Sequence, residues 1–499
     1  MIKKHLAKML ATLVAASTNK WKKNAVESQH ALLQKLVQKA ADTKFGKDHN
    51  FHKITNHQSF VEQVPIRSYE DFDAYTQKVV NGKSNILWPG KPIYLAKTSG
   101  TTSGSKYIPI TKSSMPYHIK AARNALLNYM HISGRKDFIE GKMIFLQGSP
   151  ILEGKNGIQL GRLSGIVAHF VPSYLQKNRM PSWETNCIED WEAKIEAIVE
   201  ETIKEDMTLI SGIPPWLIMY FEKLCLQSGK KVGELYPNLQ VIVTGGVNYE
   251  PYRGKIQELL GRQVDIIQTF PASEGFFAYQ DQLKSEELLL LTNHGIFYEF
   301  VPLDSLDSEN PQRLTLENVK CGVNYAMVLS TNAGLWAYSI GDTVQFTSLE
   351  PYRIVVSGRT KHYTSAFGEH VIAQEVEKAM DYALNKFPAV VNEFHVAPQV
   401  NPLSGLPYHE WFIEFSKMPE NIEAFSEAVE EEMKRQNSYY QDLTNGKILR
   451  PLVITPVEIG AFQQYMKSEG KLGGQNKTPR LANNRHIADK LNVAKKSSN

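Results

Sequence analysis

Four short apolar runs, each closed by turn residues, constrain this chain more than any other feature. They are KMIFLQG (142–148), DMTLISG (206–212), LQVIVTGG (239–246) and VDIIQTF (264–270). Runs of this length without polar alternation read as strands buried on both faces. Stretches with helical periodicity lie between them, such as PPWLIMYFEKLCLQSG (214–229). Parallel strands need a crossover to join them, so this alternation predicts an α/β domain with a largely parallel sheet. Two longer β-rich stretches follow at 287–303 and 326–346 and are predicted to be antiparallel. Upstream, residues 1–85 read as helices, with Leu32, Leu33, Leu36 and Val37 on one face. After the turn-rich SGRTKHYTSAFG (357–368), the pattern restarts as helix, two strands, helix and strand. That is a compact α+β module. A chain of 499 residues is too long for one ordinary core. The predicted division is a large N-terminal domain over 1–357, a hinge at 358–361 and a small C-terminal domain over 362–499.

Composition narrows the function. With 42% hydrophobic and 22% charged residues the chain reads as a soluble globular protein. A net charge of +4 spread over this length marks no clustered basic surface, so nucleic acid is not expected as a partner. Cys187, Cys225 and Cys321 lie far apart and form no C-x-x-C pair, which fits a reducing, cytoplasmic compartment. The N-terminal MIKKHLAKMLATLVAAS mimics a signal peptide. Lys8 interrupts its apolar run, and helix-like polar sequence follows at once, so it is read as an amphipathic surface helix. No run approaches the ~18 apolar residues of a membrane span, and no membrane partner is expected. The chain is expected to be a monomer.

The chemistry-bearing candidates are loops. YLAKTSGTTSGSKYIPIT (94–111) sets Gly, Ser and Thr, with one Lys, between two β-prone runs. Backbone N–H groups in such a turn form an anion nest, and Thr98, Ser99, Thr101, Thr102 and Ser103 add hydroxyl donors. Gly100 and Gly104 allow close approach of a phosphate. The spacing differs from G-x-x-x-x-G-K-[ST], and a strand follows instead of a helix, so this is not the common P-loop. The plain alternative is a flexible surface turn. VTGGVNY (243–249) and FPASEG (270–275) close successive strands, the place where α/β sheets bind ligands. Glu274 there suits Mg²⁺ beside phosphates, or else is a charge at a helix N-terminus. Ser339-Ile340-Gly341-Asp342 reads as a turn after an aromatic strand, and its carboxylate suits a ribose diol. GGQNKTPR (473–480) presents Lys477 and Arg480 in a Gly-rich stretch.

In this order, the stretches resemble the adenylate-forming superfamily of acyl-CoA synthetases, luciferases and nonribosomal adenylation domains. The closer resemblance is to the GH3 family of acyl acid amido synthetases, here as a bacterial member. Its phosphate loop corresponds to Thr98–Lys106, and its [ST]-S-E motif to Ala272-Ser273-Glu274. Its Y-x-x-G-D motif corresponds to Tyr338–Asp342, and its K-T-P-R to Lys477-Thr478-Pro479-Arg480. FGKDHNF (45–51) and VPIRSYEDF (64–72) also look like its N-terminal region, so the likeness covers nearly the whole chain.

The resemblance implies an adenylate-forming α/β large domain with mixed sheets and helices, and a small mobile C-terminal α+β domain. It implies ATP as the cosubstrate, with AMP as product, and a small carboxylic acid and an amino acid as substrates. By the same token Thr98–Ser103 hold the phosphates, Gly246 and Val247 flank the adenine, and Asp342 holds the ribose. Glu274 helps bind Mg²⁺, Arg359 reaches the nucleotide near the hinge, and Lys477 is catalytic, delivered by domain rotation. Where many relatives carry an acidic residue shortly after the hinge arginine, this chain has Thr360 and Lys361. Tyr117, Arg123, Trp216 and Phe270 are acyl-pocket candidates by position, Arg123 being equally readable as a solvated helix side chain. Two other functions compete: an acyl-CoA ligase with a thiol acceptor, and a non-catalytic nucleotide-binding regulator. The absence of G-x-S-x-G, H-E-x-x-H and a helix-opening G-x-G-x-x-G removes the hydrolase and dehydrogenase readings.

Overall fold

The computed structural model describes every residue except Met1, 102–103, 172–175, 248, 307, 360–362, 365, 370, 470–477 and 492–499. Helices α1 (Ile2–Trp21) and α2 (Ala25–Ala40) lead into shorter helical turns, as the N-terminal periodicity predicts. Leu33, Leu36 and Val37 are buried and Leu32 partly so.

Strands β1 (Tyr94–Thr101) and β2 (Gly104–Ile110) form an antiparallel hairpin. With β4 (Glu153–Lys155) and β5 (Ile158–Gly161) they make a four-stranded sheet in the order β2-β1-β5-β4. The main sheet has eleven strands among the described residues. In chain order they are β3 (Lys142–Phe145), β6 (Arg179–Met180), β7 (Met207–Ser211), β8 (Val241–Gly245) and β9 (Asp265–Ala272). Then come β10 (Gly275–Tyr279), β11 (Leu288–Leu290), β12 (Ile296–Pro302), β13 (Asn324–Thr331), β14 (Tyr338–Leu349) and β15 (Tyr352–Arg359).

The spatial order is β12-β13-β14-β15-β11-β10-β9-β8-β7-β3-β6. The pairs from β6 to β9 are parallel, and those from β9 to β12 antiparallel. The two β-rich regions expected from the sequence therefore share one continuous sheet, and strand direction changes at the β9–β10 hairpin.

Helices α3 (Met115–Ser133), α4 (Pro214–Ser228) and α5 (Glu250–Leu260) belong to the large portion. Beyond a short ribbon of β16 (Tyr363–Thr364) and β17 (Val371–Ile372), α6 (Ala373–Lys386) opens the C-terminal module. There β18 (Val390–Gln399), β19 (Tyr408–Lys417) and β20 (Val453–Val457) make a separate three-stranded sheet. Helices α7 (Ile422–Gln436) and α8 (Ser438–Asn445) complete the pattern read from the sequence.

Two large apolar clusters organise the core. One packs the N-terminal helical region onto the antiparallel half, with Phe45 stacked on Phe72 and Phe51 edge-on to Trp336. The other runs from Ile242 and Tyr252 under the parallel half, through Phe367, to Trp411 in the C-terminal sheet. Every large side chain in this path is buried, so the small module packs against the parallel half through apolar contact as well as chain connection.

Candidate active site

A cleft of about 1840 Å³ lies between the sheet ends and the C-terminal module. Its lining gathers most of the residues singled out in the sequence. Thr98 and Lys106 come from the β1–β2 hairpin, Gly246 and Val247 from the end of β8, and Phe270, Ala272, Ser273 and Glu274 from the end of β9. Asp342 comes from β14 and Trp216 from α4. Tyr117 and Arg123 do not line it. Both sit on α3, where Tyr117 packs edge-on to His294, 5.7 Å between ring centroids, and the Arg123 guanidinium donates to Asn124 Oδ1. Ser99, Gly100 and Thr101 lie in β1, while Thr102, Ser103 and Lys477 fall outside the described residues.

Local chemistry explains the positions. Gly245 ends β8 where a Cβ would meet the Thr269 carbonyl oxygen at 2.4 Å, so only glycine lets β8 and β9 run this close as they reach the cleft. Glu274 sits in the two-residue turn between β9 and β10, closed by the pair Ala272 and Gly275. It does not begin a helix, which removes the helix-terminus reading of its charge. The buried Tyr338 donates its hydroxyl to Glu274 Oε1 at 3.4 Å, tying the turn to the first residue of β14. Asp342 departs from expectation: it lies inside β14, not in a turn after a strand. The ladder with β13 shifts between Ser339 and Thr343, and Gly341 adopts φ +87°. That is a bulge, which re-aims side chains without ending the strand. Asp342 is 8% exposed and pairs in register with Arg359, the last residue of β15.

The cleft also contains groups that the sequence did not single out. Tyr69 accepts a hydrogen bond from the Tyr107 amide at 2.8 Å, and its ring lies 5.6 Å beneath the Lys106 ammonium. Burial pushes its hydroxyl up to about 12, so it stays protonated. It braces the hairpin opposite Thr98, the register partner of Lys106. Across the cleft, α8 of the small module reaches the same hairpin. Tyr439 donates to the Lys97 carbonyl at 3.2 Å and lies under the Arg162 guanidinium, 4.5 Å away, while Arg162 pairs with Asp442. Lys194 is buried in the wall, donates to the Asn186 carbonyl at 2.6 Å, and is pushed by burial down to about 8. These residues come from distant segments, and apart from Tyr69, which lies in VPIRSYEDF, no local pattern in the sequence marks them.

No group of three or more His, Cys, Asp or Glu side chains among the described residues forms a protein-only metal cage. Glu274 is one of several carboxylates lining the cleft, and a cation shared between one or two protein carboxylates and substrate phosphate oxygens is the usual mode for Mg²⁺.

Family comparison agrees with this assembly. Models of the GH3 family match three successive pieces: the N-terminal domain over 15–190, the central domain over 289–359 and the C-terminal domain over 374–486. The chain belongs to the GH3 family. The jasmonoyl–L-amino acid synthetase JAR4 of Nicotiana attenuata is 24% identical over 399 residues, 65% of this chain and 67% of its own. The indole-3-acetic acid-amido synthetase GH3.10 of Arabidopsis thaliana is 24% identical over 524 residues, 87% of each chain. Among solved structures, a GH3.15 acyl acid amido synthetase in complex with 2,4-DB superposes with a TM-score of 0.61 at 19% identity, covering 97% of this chain and 96% of its own. A 2-hydroxyisobutyryl-CoA ligase with 2-HIB-AMP and CoA superposes at 0.59 with 13% identity, covering 94% and 91%. The shared fold is the mixed α/β architecture of adenylate-forming enzymes with a separate C-terminal domain. The central GH3 match spans the Asp342 bulge, and its end at 359 coincides with the end of β15.

Proposed function

We propose that this GH3 protein is an ATP-dependent acyl acid amido synthetase. A small carboxylic acid is adenylated, and the amine of an amino acid then takes the acyl group to give an amide. The observation that carries this reading is the single cleft lined by the β1–β2 hairpin, the β8 and β9 ends, the Asp342 bulge and α8 of the small module.

In the first half-reaction a carboxylate oxygen attacks the α-phosphorus of ATP, the α–β bridging P–O bond breaks, and pyrophosphate leaves. Like charges repel, so positioning and charge stabilisation are the main demands. The hairpin from Thr98 to Ser103 holds the phosphates, Gly246 and Val247 flank the adenine, Ala272 and Ser273 line its edge, and Asp342 accepts from the ribose hydroxyls. Arg359 approaches the nucleotide from the strand beside Asp342. Glu274 would help hold Mg²⁺, which would offset negative charge on the phosphates. Lys477 offsets charge on the departing pyrophosphate, and rotation of residues 362–499 about 358–361 brings it in for this step alone. In the second half-reaction the amine nitrogen attacks the acyl carbonyl carbon. AMP departs with the bond electrons, and the ammonium proton passes to solvent. Trp216 and Phe270 supply apolar surface for the acyl group, with Phe270 held edge-on by Phe277, 5.0 Å between centroids.

The remaining expectations stand as part of the same proposal: a cytoplasmic monomer from a bacterium. The named relatives are plant proteins too distant to fix the source, and no described helix is long and apolar enough to cross a membrane.

The test is carboxylate-dependent ATP–pyrophosphate exchange over a panel of small aromatic and aliphatic acids. Each positive is repeated with pooled amino acids or with CoA under mass spectrometric detection. Exchange followed by an amide is the expected result. A thioester product would move the protein to the ligase reading, and ATP binding without exchange for any acid would favour the regulator. Lys477→Ala should abolish exchange with ATP binding largely intact; equal pyrophosphate release from both proteins would remove Lys477 from the chemistry.

A further inference from the structure

Helix α1 is packed the wrong way round for a helix that serves only the fold. The face against the body is made mostly of small residues: Ala11, Ala15 and Thr18 are buried, Ala11 joins the cluster of Leu127, Tyr129 and Phe138, and Val14 and Trp21 pack partly buried beside them. Lys4 pins the start of the helix to Asp137 at 2.6 Å and Glu140 at 2.7 Å. Four large apolar residues point the other way. Leu6 is 60% exposed, Met9 63%, Leu10 41% and Leu13 64%. Their spacing of three and four residues makes one stripe along the outer face. Scattered exposed apolar residues are ordinary, but a contiguous stripe marks a contact surface.

Charge selects the occupant. Residues 1–24 contain Lys3, Lys4, Lys8, Lys20, Lys22 and Lys23 and no Asp or Glu. Lys4 is already paired with Asp137 and Glu140, but pairing two copies through α1 would set the exposed Lys20 and the following Lys22 and Lys23 against their counterparts, with no acidic residue on the segment to offset them. A polyanionic surface with an apolar interior meets both the stripe and the lysines. We propose that the outer face of α1 docks this protein reversibly on anionic lipid membranes, with Leu6, Met9, Leu10 and Leu13 in the acyl-chain boundary and Lys20, two turns beyond Leu13 on the same face, among the headgroups. The helix lies on the surface and does not span it. This differs from the expectation of no membrane partner, which rested on the lack of a spanning segment. The proposal is independent of the substrates assigned above.

The experiment is co-sedimentation of the full-length protein with sucrose-loaded vesicles of phosphatidylcholine alone or with 30 mol% phosphatidylglycerol (about one anionic lipid in three, enough for a strong surface potential). Binding to the anionic vesicles is expected to exceed that to phosphatidylcholine at least tenfold and to fall with added salt. The double variant Leu10→Glu/Leu13→Glu should lose that binding while keeping its circular dichroism spectrum and ATP-binding affinity. The milder Lys20→Gln should weaken binding to anionic vesicles several-fold with no change in fold. Size-exclusion chromatography with light scattering runs alongside. Equal binding to both vesicle types, no binding to either, or a dimer that the Leu10/Leu13 variant dissolves would each overturn the proposal, the last by making the stripe a self-association surface.

Discussion

The two halves of the eleven-stranded sheet solve the same problem differently. In the parallel half, strands of two to eight residues all end on one side, and β8 and β9 deliver Gly246 and Glu274 from the turns that close them. Function there needs only a strand end. The antiparallel half has long strands, twelve residues in β14, whose backbone is committed to neighbours on both sides. A side chain that must be aimed out of such a ladder needs a break in it, and the Gly341 bulge supplies one for Asp342. The β9–β10 turn stands where direction changes, and Glu274 occupies it. The parallel half should therefore tolerate loss of a site residue without loss of fold, whereas in the antiparallel half site and scaffold are entangled.

The largest expected effect tests the scaffold. Glu299 of β12 is fully buried, bonded to Arg313 at 2.7 and 2.8 Å and to His57 at 2.8 Å. Burial alone would raise its carboxyl, but Arg313 and His57 outweigh burial and hold it below its ordinary 4.5. A depressed value means that the stabilisation is present above the ordinary range and is lost as pH falls through the folded-state value. Glu299→Ala should cost about 3–5 kcal/mol at pH 7, because it strands the buried Arg313 charge. The gap between variant and parent in urea unfolding should narrow below pH 4.5. Hydrogen exchange should quicken first in β12 and β13. Equal quickening in β7 and β8 would mean that the halves unfold as one unit and that their division is only geometric.

Glu274→Ala comes next and concerns chemistry alone. Pyrophosphate exchange should fall about 10²–10³-fold, the usual cost of losing one transition-state electrostatic partner. Thermal midpoint and ATP affinity should stay near those of the parent, since the residue sits in a turn. A loss of ATP affinity as large as the loss of rate would assign Glu274 to binding. Asp342→Ala should do the reverse. Losing hydrogen bonds to a charged acceptor costs about 1.5–3 kcal/mol, roughly 10–150-fold in ATP affinity, with a smaller change in the maximal rate. Isothermal titration with ATP separates the two, and unchanged affinity would remove Asp342 from the ribose.

These carboxylates were not equally legible. The parallel core and the turns after β8 and β9 could be read directly, because a strand end writes glycine, hydroxyl and carboxylate into adjacent positions. The helix–strand order of the C-terminal module was legible for the same reason: its periods of two and 3.6 residues alternate cleanly. Asp342 reads from the sequence as a turn residue yet lies inside β14, since a Gly-Asp pair signals a turn far more often than a bulge inside a long strand. Tyr117 and Arg123 are candidates by position alone, and neither lines the cleft, whose wall is built by residues brought together from afar. Tyr69 stands in the flagged stretch VPIRSYEDF, but nothing there points to a cleft, and Arg162, Lys194 and Tyr439 stand in segments with no local motif; their shared cleft is set by packing. The outward stripe on α1 was equally hidden: the sequence gives its amphipathic period, but only the fold tells which face is buried.

The smallest expected effect probes whether the parallel half and its flanking hairpin need precise bracing. Tyr69 touches the hairpin twice, through its hydroxyl and through its ring. Tyr69→Phe keeps the ring under Lys106 but leaves the Tyr107 amide without its partner, a loss of about 1 kcal/mol. ATP KM should rise about fivefold, with little change in kcat, because a loosened hairpin weakens ground-state grip on the phosphates without removing a charge. Tyr69→Leu removes both contacts and should add about 0.5–1 kcal/mol for the lost cation–π interaction. If that second increment comes from Lys106, it should vanish in a Lys106→Met background. Persistence there would make the ring a packing element only, and the hairpin's order would then rest on its own ladder with β1. A fall in kcat equal to the rise in KM for Tyr69→Phe would instead place the hydroxyl in the transition state, giving the hairpin the same direct role in chemistry as is proposed for Glu274.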